Sequence, residues 1–176
     1  MRSTKWWIAV LVTVGTATLG VGSASALGVK QPDVCALVTA ADVQAAYGVP
    51  FEDSFSGDDA NPQCGWRFGS ADDIGSLGMY AEAFKSVGQA KKAYAKFLKF
   101  GHVSKPEKVK GLGQQAAYRA PGQSEKVYDG NALIVRDGKV VLRLEGGHHG
   151  ELNTEVPEIA NKAAMIELMR KAIREL

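Results

Sequence analysis

The chain has 176 residues, of which 45% are hydrophobic and 23% are charged, with 21 Lys and Arg against 19 Asp and Glu. This composition is typical of a folded globular protein and excludes a disordered or collagen-like chain. Arg2 and Lys5 account for the whole formal net charge of +2, so residues 27–176 carry 19 charges of each sign, which argues against general nucleic-acid binding.

The first 26 residues have the pattern of a secretory signal peptide. Arg2 and Lys5 precede an uncharged apolar run, and Ala24-Ser25-Ala26 provides the small residues that a signal peptidase prefers. The apolar run is short and rich in Gly and Thr for a membrane span. We therefore expect cleavage after about Ala26, leaving residues 27–176 as one secreted α+β domain.

Cys35 and Cys64 are the two cysteines of the chain. In an oxidising compartment two thiols usually pair, and two cysteines allow one intramolecular bridge. Their spacing is not the Cys-x-x-Cys of redox-active sites. We therefore predict a structural disulfide that closes a loop of about 30 residues, with free or intermolecular thiols as the alternative.

The first helix is predicted within residues 39–48. Thr39 is the expected N-cap, and Asp42 lies at N3, where a carboxylate favours the helix N-terminus. Gly48 can take the left-handed conformation that ends a helix, and Pro50 prevents continuation. The predicted disulfide would hold this helix to the chain around Cys64.

A β-hairpin and a second helix are predicted next. Residues 64–68, "CGWRF", alternate between apolar and polar side chains as in a half-buried strand, and "LGMYAEAF" gives the partner strand. A lysine-rich helix then starts at Ser86, with Gln89 in a capping-box position and Gly101 as its expected end.

The C-terminal half predicts three strands and a helix. "QQAAYRA", residues 114–120, is a strand candidate, and Asp137-Gly138 is predicted as a type I′ turn between two β-rich runs. Residues 140–145 should have one apolar and one largely polar face. Residues 157–176 have the apolar stripe of an amphipathic helix.

This order of elements predicts an α+β fold. We expect a curved antiparallel sheet of about five strands, with helices packed mainly on one face and one disulfide. A helix followed by a hairpin occurs twice, but no repeat of residues supports an internal duplication.

Two stretches match the patterns of known sites and have simpler interpretations. "GLGQQA", residues 111–116, fits the Gly-x-Gly-x-x-Ala pattern of dinucleotide sites, but the βαβ context is missing, so a turn is preferred. "GGHHGE" offers His148, His149 and Glu151 as weak metal-ligand candidates. Adjacent strand residues point to opposite faces, so we prefer a solvated loop and expect no metal, cofactor or catalytic residue.

Lysines are concentrated in one segment. Seven lie between Lys91 and Lys110, whereas residues 51–73 hold six acids. The simplest interpretation is a solvated helix face. The functional alternative is a patch for an anionic partner, such as an envelope polymer, a lipid headgroup or an acidic protein surface. Its residues would be Lys91, Lys92, Lys96 and Lys99.

Three stretches resemble a group of small exported domains common in high-GC Gram-positive bacteria. They are "PDVCALVTAADVQAAYG", then "CGWRF", then "VKGLGQQAAY" ahead of "ALIVRDGKVVLRL". The resemblance covers most of residues 27–176 and implies an envelope lipoprotein-like or sensor-like domain. Its motifs are structural and imply no catalytic residues. Unlike many members, the chain lacks a lipid-attachment cysteine after the apolar run.

We expect a secreted, non-enzymatic binding or interaction domain of the cell envelope. Its partner would be an envelope component or an extracellular protein, held against the sheet or between sheet and helices. The candidate contacts are Trp66, Tyr80 and Tyr118, for each of which core packing is the default. One alternative is a secreted inhibitor of an extracellular enzyme that docks through loops 51–63 or 121–130. Another is a small metal-dependent hydrolase using His148 and His149.

Overall fold

Seven antiparallel strands form the main sheet in the computed structural model of the chain, and four helices pack on it, so the fold class is α+β. The structure describes residues 28–48, 53–56, 63–70, 73–99, 104–123, 128–149 and 161–176. The predicted signal peptide, residues 1–26, lies outside these ranges. Within them, none of the helices combines the length and the apolar character that crossing a membrane requires.

The described part of the chain contains four helices and nine strands. The helices are α1 (Val34–Leu37), α2 (Ala40–Tyr47), α3 (Val87–Phe97) and α4 (Lys162–Glu175). The strands of the main sheet are β1 (Asp53–Ser56), β2 (Gln63–Ser70), β3 (Asp73–Ala83), β4 (Glu107–Lys108), β5 (Gln115–Arg119), β8 (Asn131–Asp137) and β9 (Val140–His149). A separate two-stranded ribbon consists of β6 (Gly122–Gln123) and β7 (Tyr128–Asp129).

The strand order of the main sheet is β1-β2-β3-β9-β8-β5-β4, and every neighbouring pair is antiparallel. β1 to β3 form one meander, and β5, β8 and β9 form a second. The two meanders meet where β3 pairs with β9, from Ile74 opposite His149 to Ala83 opposite Val140. Six strands have four or more residues, and β4 is a seventh strand of two residues at one edge. The open sheet is therefore somewhat wider than the predicted sheet of about five strands.

One face of the sheet carries the main hydrophobic core beneath α1, α2 and α4. Alternate residues of three central strands are buried in it, namely Leu77, Met79, Leu133, Val135, Leu142 and Leu144. The facing layer of α4 consists of Met165, Leu168 and Met169. The predicted apolar faces of residues 140–145 and of the last helix are therefore confirmed, although Leu176 at the chain end is 48% exposed.

The opposite face carries one helix within the described ranges. Ala90 and Tyr94 of α3 pack on Ile134 of β8 and Val141 of β9. Helices thus lie mainly on one face, as predicted. α3 itself ends at Phe97, earlier than expected; the predicted end at 101 lies outside the described residues.

The predicted disulfide between Cys35 and Cys64 is present and joins α1 to β2, with the two Cα atoms 5.1 Å apart. α1 is a single helical turn that the sequence patterns did not predict. A turn of this length is unstable in isolation. Val34 and Leu37 bury its apolar side in the main core, and the disulfide fixes it to the sheet.

α2 has the predicted caps at both ends. The Thr39 hydroxyl accepts a hydrogen bond from the Asp42 amide (3.4 Å), and the Asp42 carboxylate accepts one from the Thr39 amide (2.8 Å), which makes a capping box. Gly48 ends the helix at φ = 72°. Asp42 also accepts a hydrogen bond from Lys171 of α4 at 2.9 Å, so one carboxylate starts α2 and links it to α4.

The turn between β8 and β9 differs from the prediction by one residue. Asp137 pairs with Val140, so the two turn residues are Gly138 and Lys139. Gly138 has φ = 53°, whereas Lys139 has a negative φ. A positive φ at the first turn residue alone is the pattern of a type II′ turn, so the predicted type I′ turn at Asp137-Gly138 is wrong.

The glycines of "GLGQQA" form a turn, as predicted. Gly111 and Gly113 have φ values of 70° and 54°, and β5 begins at Gln115. Leu112 between them is buried in the main core. A strand rather than a helix follows the glycines, so the geometry of a dinucleotide-binding turn is absent from this segment.

Removing the disulfide is expected to lower the free energy of unfolding by about 3–4 kcal/mol, because the unfolded chain regains the entropy of a loop of about 30 residues. The variant carries Cys35→Ala and Cys64→Ala, and urea unfolding measures the change. Wild-type protein in a reducing agent is the matched control and should unfold at the same urea concentration as the variant. Equal stability of oxidised wild type and variant would contradict this expectation.

The pKa of Asp42 makes its contribution to stability dependent on pH. Partial burial raises this pKa, but hydrogen bonds from Thr39 and Lys171 outweigh that effect and hold it below the usual value of 3.8. A carboxyl group with a lowered pKa in the folded state stabilises the fold above its unfolded pKa. That stabilisation is lost as the pH falls through the folded-state pKa.

Asp42→Asn is therefore expected to destabilise the protein by about 1 kcal/mol at pH 7, the usual size of a cap contribution. The difference from wild type should shrink when unfolding is measured below about pH 3. Glu167→Gln is the matched control, since this exposed α4 carboxylate forms no salt bridge among the described residues. A difference for Asp42→Asn that stays constant with pH would contradict the assignment.

Candidate binding cleft on the open face of the sheet

The part of the α3-side face formed by β2, β3 and β9 is polar and rich in glycine. The register aligns its residues in three cross-strand rows, which are Gln63–Tyr80–Arg143, Gly65–Gly78–Glu145 and Arg67–Ser76–Gly147. They alternate along the strands with the buried residues of the main core. We call these nine residues the open face, because α3, the described helix on this side, packs mainly on β8 and β9, although Gly65 among them is buried.

A cleft of about 230 Å³ lies on the open face where β3 and β9 pair. Ser76, Gly78 and Tyr80 line it from β3, and Glu145 and Gly147 line it from β9. We call these five residues the glycine cleft. Gly130 and Asn131, at the start of β8, also line it.

The cleft depends on the missing side chains of two glycines. A Cβ atom at Gly78 would lie 3.3 Å from the Tyr80 ring, and one at Gly147 would lie 3.3 Å from the Ser76 hydroxyl. Any larger side chain at either position would therefore displace a wall residue or fill the space. Glycine weakens a strand, so two glycines in neighbouring central strands point to close approaches, here by the Tyr80 ring at Gly78 and by the Ser76 hydroxyl at Gly147.

Gly130, which also lines the cleft, lets the chain entering β8 approach β9 closely. A Cβ atom at Gly130 would lie 1.7 Å from the carbonyl oxygen of Gly146, so a side chain here would force the backbone of one strand to shift. The next residue, Asn131, is buried, and its amide nitrogen lies 3.0 Å from the sulfur of Met165 in α4. This corner of the cleft is thus anchored to the main core.

Arg143 lies between two aromatic rings beside the cleft. Its guanidinium carbon is 4.5 Å from the centroid of Tyr80 and 4.3 Å from that of Phe97, and it donates a hydrogen bond to Glu145 at 2.8 Å. Cation–π contacts on both sides of a planar guanidinium restrict its orientation. Because Phe97 belongs to α3, the same cluster connects the cleft to that helix.

The pKa of Tyr80 is raised from its usual value of 10.0. Burial is the main cause, and the negative charge of Glu145 adds to it, while Arg143 acts in the opposite direction. The phenol is therefore fully protonated at neutral pH and retains its hydroxyl proton for hydrogen bonding.

The predicted lysine patch is exposed on α3 and just after it, since Lys99 lies two residues beyond the helix end at Phe97. Lys91, Lys92, Lys96 and Lys99 are all exposed, and among the described residues none of them forms a salt bridge. We call these four residues the lysine face. The helix contains no acidic residue, and its other side packs on the sheet through Ala90 and Tyr94.

Two buried arginines beneath α3 were missed by the sequence patterns. Arg119 donates hydrogen bonds to the carbonyl oxygens of Leu98 and Ser104, and Arg136 donates to Gln115 at 2.7 Å and to Gly138 at 3.1 Å. Both side chains are about 5% exposed, and within the described ranges neither has a carboxylate partner. Their charges therefore add to the positive potential of the lysine face.

The three predicted aromatic contacts do not lie on one surface. Trp66 is 1% exposed and Tyr118 is 6% exposed, and both belong to the core beneath α1, α2 and α4. Tyr80 points to the opposite face and lines the glycine cleft. Core packing accounts for Trp66 and Tyr118, whereas a ligand contact at Tyr80 stays a prediction.

The histidine pair lies on a strand and not in the expected solvated loop. His148 and His149 end β9, where they pair with Gly75 and Ile74 of β3. Glu151 lies outside the described residues. In the ranges that the structure describes, no group of three His, Cys, Asp or Glu side chains could hold a metal ion.

The comparisons with known proteins identify no relative. No family model matches the chain, and neither a similar curated protein nor a similar solved structure was found. The resemblance to exported domains of high-GC Gram-positive bacteria therefore stays a prediction.

Gly130→Ala is expected to destabilise the protein by about 1–3 kcal/mol, the usual cost of overpacking, because the clash is with backbone and no side chain can move aside. Gly88→Ala is the matched control. A Cβ there would have its nearest neighbour, the Ser86 hydroxyl, at 3.8 Å, and the helix would gain up to about 1 kcal/mol. Thermal unfolding measures both, and a Gly130→Ala variant as stable as wild type would contradict the close approach.

Proposed function

We propose that the protein is an exported, non-enzymatic binding domain of the cell envelope, and that the lysine face binds a linear anionic polymer of that envelope. The observation that carries this proposal is the exposed row of lysines, which form no salt bridge among the described residues, above two buried arginines with neutral partners. Export is supported by the leader pattern, with cleavage after about Ala26. The disulfide is compatible with an extracytoplasmic location.

The spacing of the lysines favours an extended ligand. Lys92, Lys96 and Lys99 are four and three residues apart, so they form a stripe along the helix, about 10 Å long at 1.5 Å per residue. A single exposed ion pair contributes at most about 1 kcal/mol. Several weak contacts to one chain of negative groups add up, whereas a small anion would meet one lysine at a time.

A lipid surface fits α3 less well. Helices that bind at membrane interfaces expose an apolar side next to their basic side. The apolar side of α3 is occupied, because Ala90 and Tyr94 pack on the sheet, and of its large hydrophobic residues Val87 alone is clearly exposed, at 39%. An enzyme-inhibitor role would depend on loops 51–63 and 121–130, of which residues 53–56, 63, 121–123 and 128–130 are described.

The test replaces all four residues of the lysine face by glutamine and measures binding to a purified glycerol-phosphate polymer. Four contacts of about 0.3–0.5 kcal/mol each predict an affinity weaker by a factor of about 8 to 30. The matched control is a variant with the same charge change elsewhere, in which Lys30, Lys110, Arg170 and Arg174 become glutamine, the last two on α4 across the sheet. These four residues are also exposed.

The control variant should bind within about twofold of wild type, since a Debye length of about 8 Å limits the reach of distant charges at physiological salt. An equal loss in both variants would mean that overall charge, and not the lysine face, determines binding. Vesicles of phosphatidylglycerol are tested in parallel, and tighter binding to vesicles than to the polymer would contradict the polymer assignment.

A further inference from the structure

We infer that the glycine cleft is a binding site for one neutral, polyhydroxylated ring, such as a single sugar unit. This site is separate from the lysine face, and its ligand chemistry follows from the side chains that line it. The inference does not require that the proposed polymer binds to α3.

Three polar atoms of the cleft have no hydrogen-bond partner in the described part of the chain. They are the hydroxyl groups of Ser76 and Tyr80 and the second carboxylate oxygen of Glu145, whose first oxygen accepts from Arg143. A hydroxyl both donates and accepts, whereas an ionised carboxylate accepts only. A ligand that satisfies all three must offer donors and acceptors together, as vicinal hydroxyl groups do.

The charge of the cleft favours a neutral ligand. Glu145 is 2.8 Å from the guanidinium of Arg143, so the two charges compensate each other next to the site. A cationic ligand would compete with Arg143 for the carboxylate, and an anionic one would face that carboxylate directly. Hydroxyl groups can bind the remaining lone pairs of Glu145 without breaking the ion pair.

The size and shape of the cleft favour one ring. Its volume of about 230 Å³ is below the range of about 300–1,000 Å³ of sites for drug-sized ligands. The Tyr80 ring lies over Gly78, and beside this aromatic wall the small residues Ser76 and Gly147 leave room for one flat ring. The half-buried ring of Tyr80 offers an apolar wall beside polar groups, a combination suited to the C–H and O–H groups of a sugar.

Arg143 lies beside both the glycine cleft and α3, but the glycine cleft and the lysine face share no residue. Phe97 of α3 covers one side of its guanidinium, and Tyr80 covers the other. A polymer that contains both sugar units and negative groups could therefore contact the two sites at once. Single uncharged rings would reach the cleft alone, which allows the sites to be tested separately.

The test is a titration of ¹⁵N-labelled protein, followed by amide shifts, with galactose, N-acetylglucosamine and myo-inositol as neutral probes. Glucosamine and glucuronate serve as charged counterparts. We expect at least one neutral ring to bind saturably, with Kd of about 1 mM, and to shift residues 76–80 and 145–147. Absence of saturation by all three at a fiftyfold excess over that concentration would overturn the inference.

Variants assign the contacts. Glu145→Gln and Tyr80→Phe should each weaken binding of the same ring at least fivefold, whereas Glu82→Gln, on the same face of β3 outside the cleft, should leave it within twofold. Undiminished binding by both cleft variants would overturn the site, and equal binding of glucuronate or glucosamine would overturn its preference for neutral rings.

The lysine-face variant separates this inference from the proposed function. It should bind the neutral ring as wild type does, because none of its four lysines lines the cleft. Loss of ring binding in that variant would contradict a separate site. Failure of the polymer to bind, with intact ring binding, would refute the proposed function alone.

Discussion

The pairing of β3 with β9 is the constraint on which the rest of the structure depends. It joins two meanders that are far apart in sequence and makes them one sheet. Because side chains alternate along a strand, a register shift by one residue would exchange the two faces. The observed register directs Leu77, Met79 and Leu144 into the core, and it directs Tyr80, Arg143 and Glu145 to the opposite side.

The two faces have different roles as a consequence. One face is held under α1, α2 and α4 by hydrophobic burial, by the disulfide and by the contact between Asp42 and Lys171. The other face carries α3 alone among the described helices, and its β2–β3–β9 portion is polar. The glycines Gly78 and Gly147 and the Arg143–Glu145 ion pair thus lie on the face opposite the main core.

The α3 side of the sheet also holds two buried arginines. Arg119 and Arg136 are placed under a helix and hydrogen-bonded to neutral oxygens, although burying a cation without a carboxylate costs stability. Arg119 donates to a carbonyl at the C-terminal end of α3, where a positive charge interacts favourably with the helix dipole. The positive potential beneath the lysine face is thus built into the sheet and does not depend on flexible surface side chains alone.

The sequence by itself determined the local features of this protein: the caps at Thr39 and Gly48, the partners of the disulfide, the strand alternation and the α+β class. Each depends on residues close together in the chain, or on there being two cysteines to pair. The tertiary structure decided which faces are covered, that Trp66 and Tyr118 belong to the core, and that Tyr80 meets Arg143. Tyr80 and Arg143 are opposite each other only through the β3–β9 register, and Gly78 and Gly147 form a cleft only on neighbouring strands. Such contacts between distant segments follow from the global packing of the chain, and no short sequence pattern encodes them.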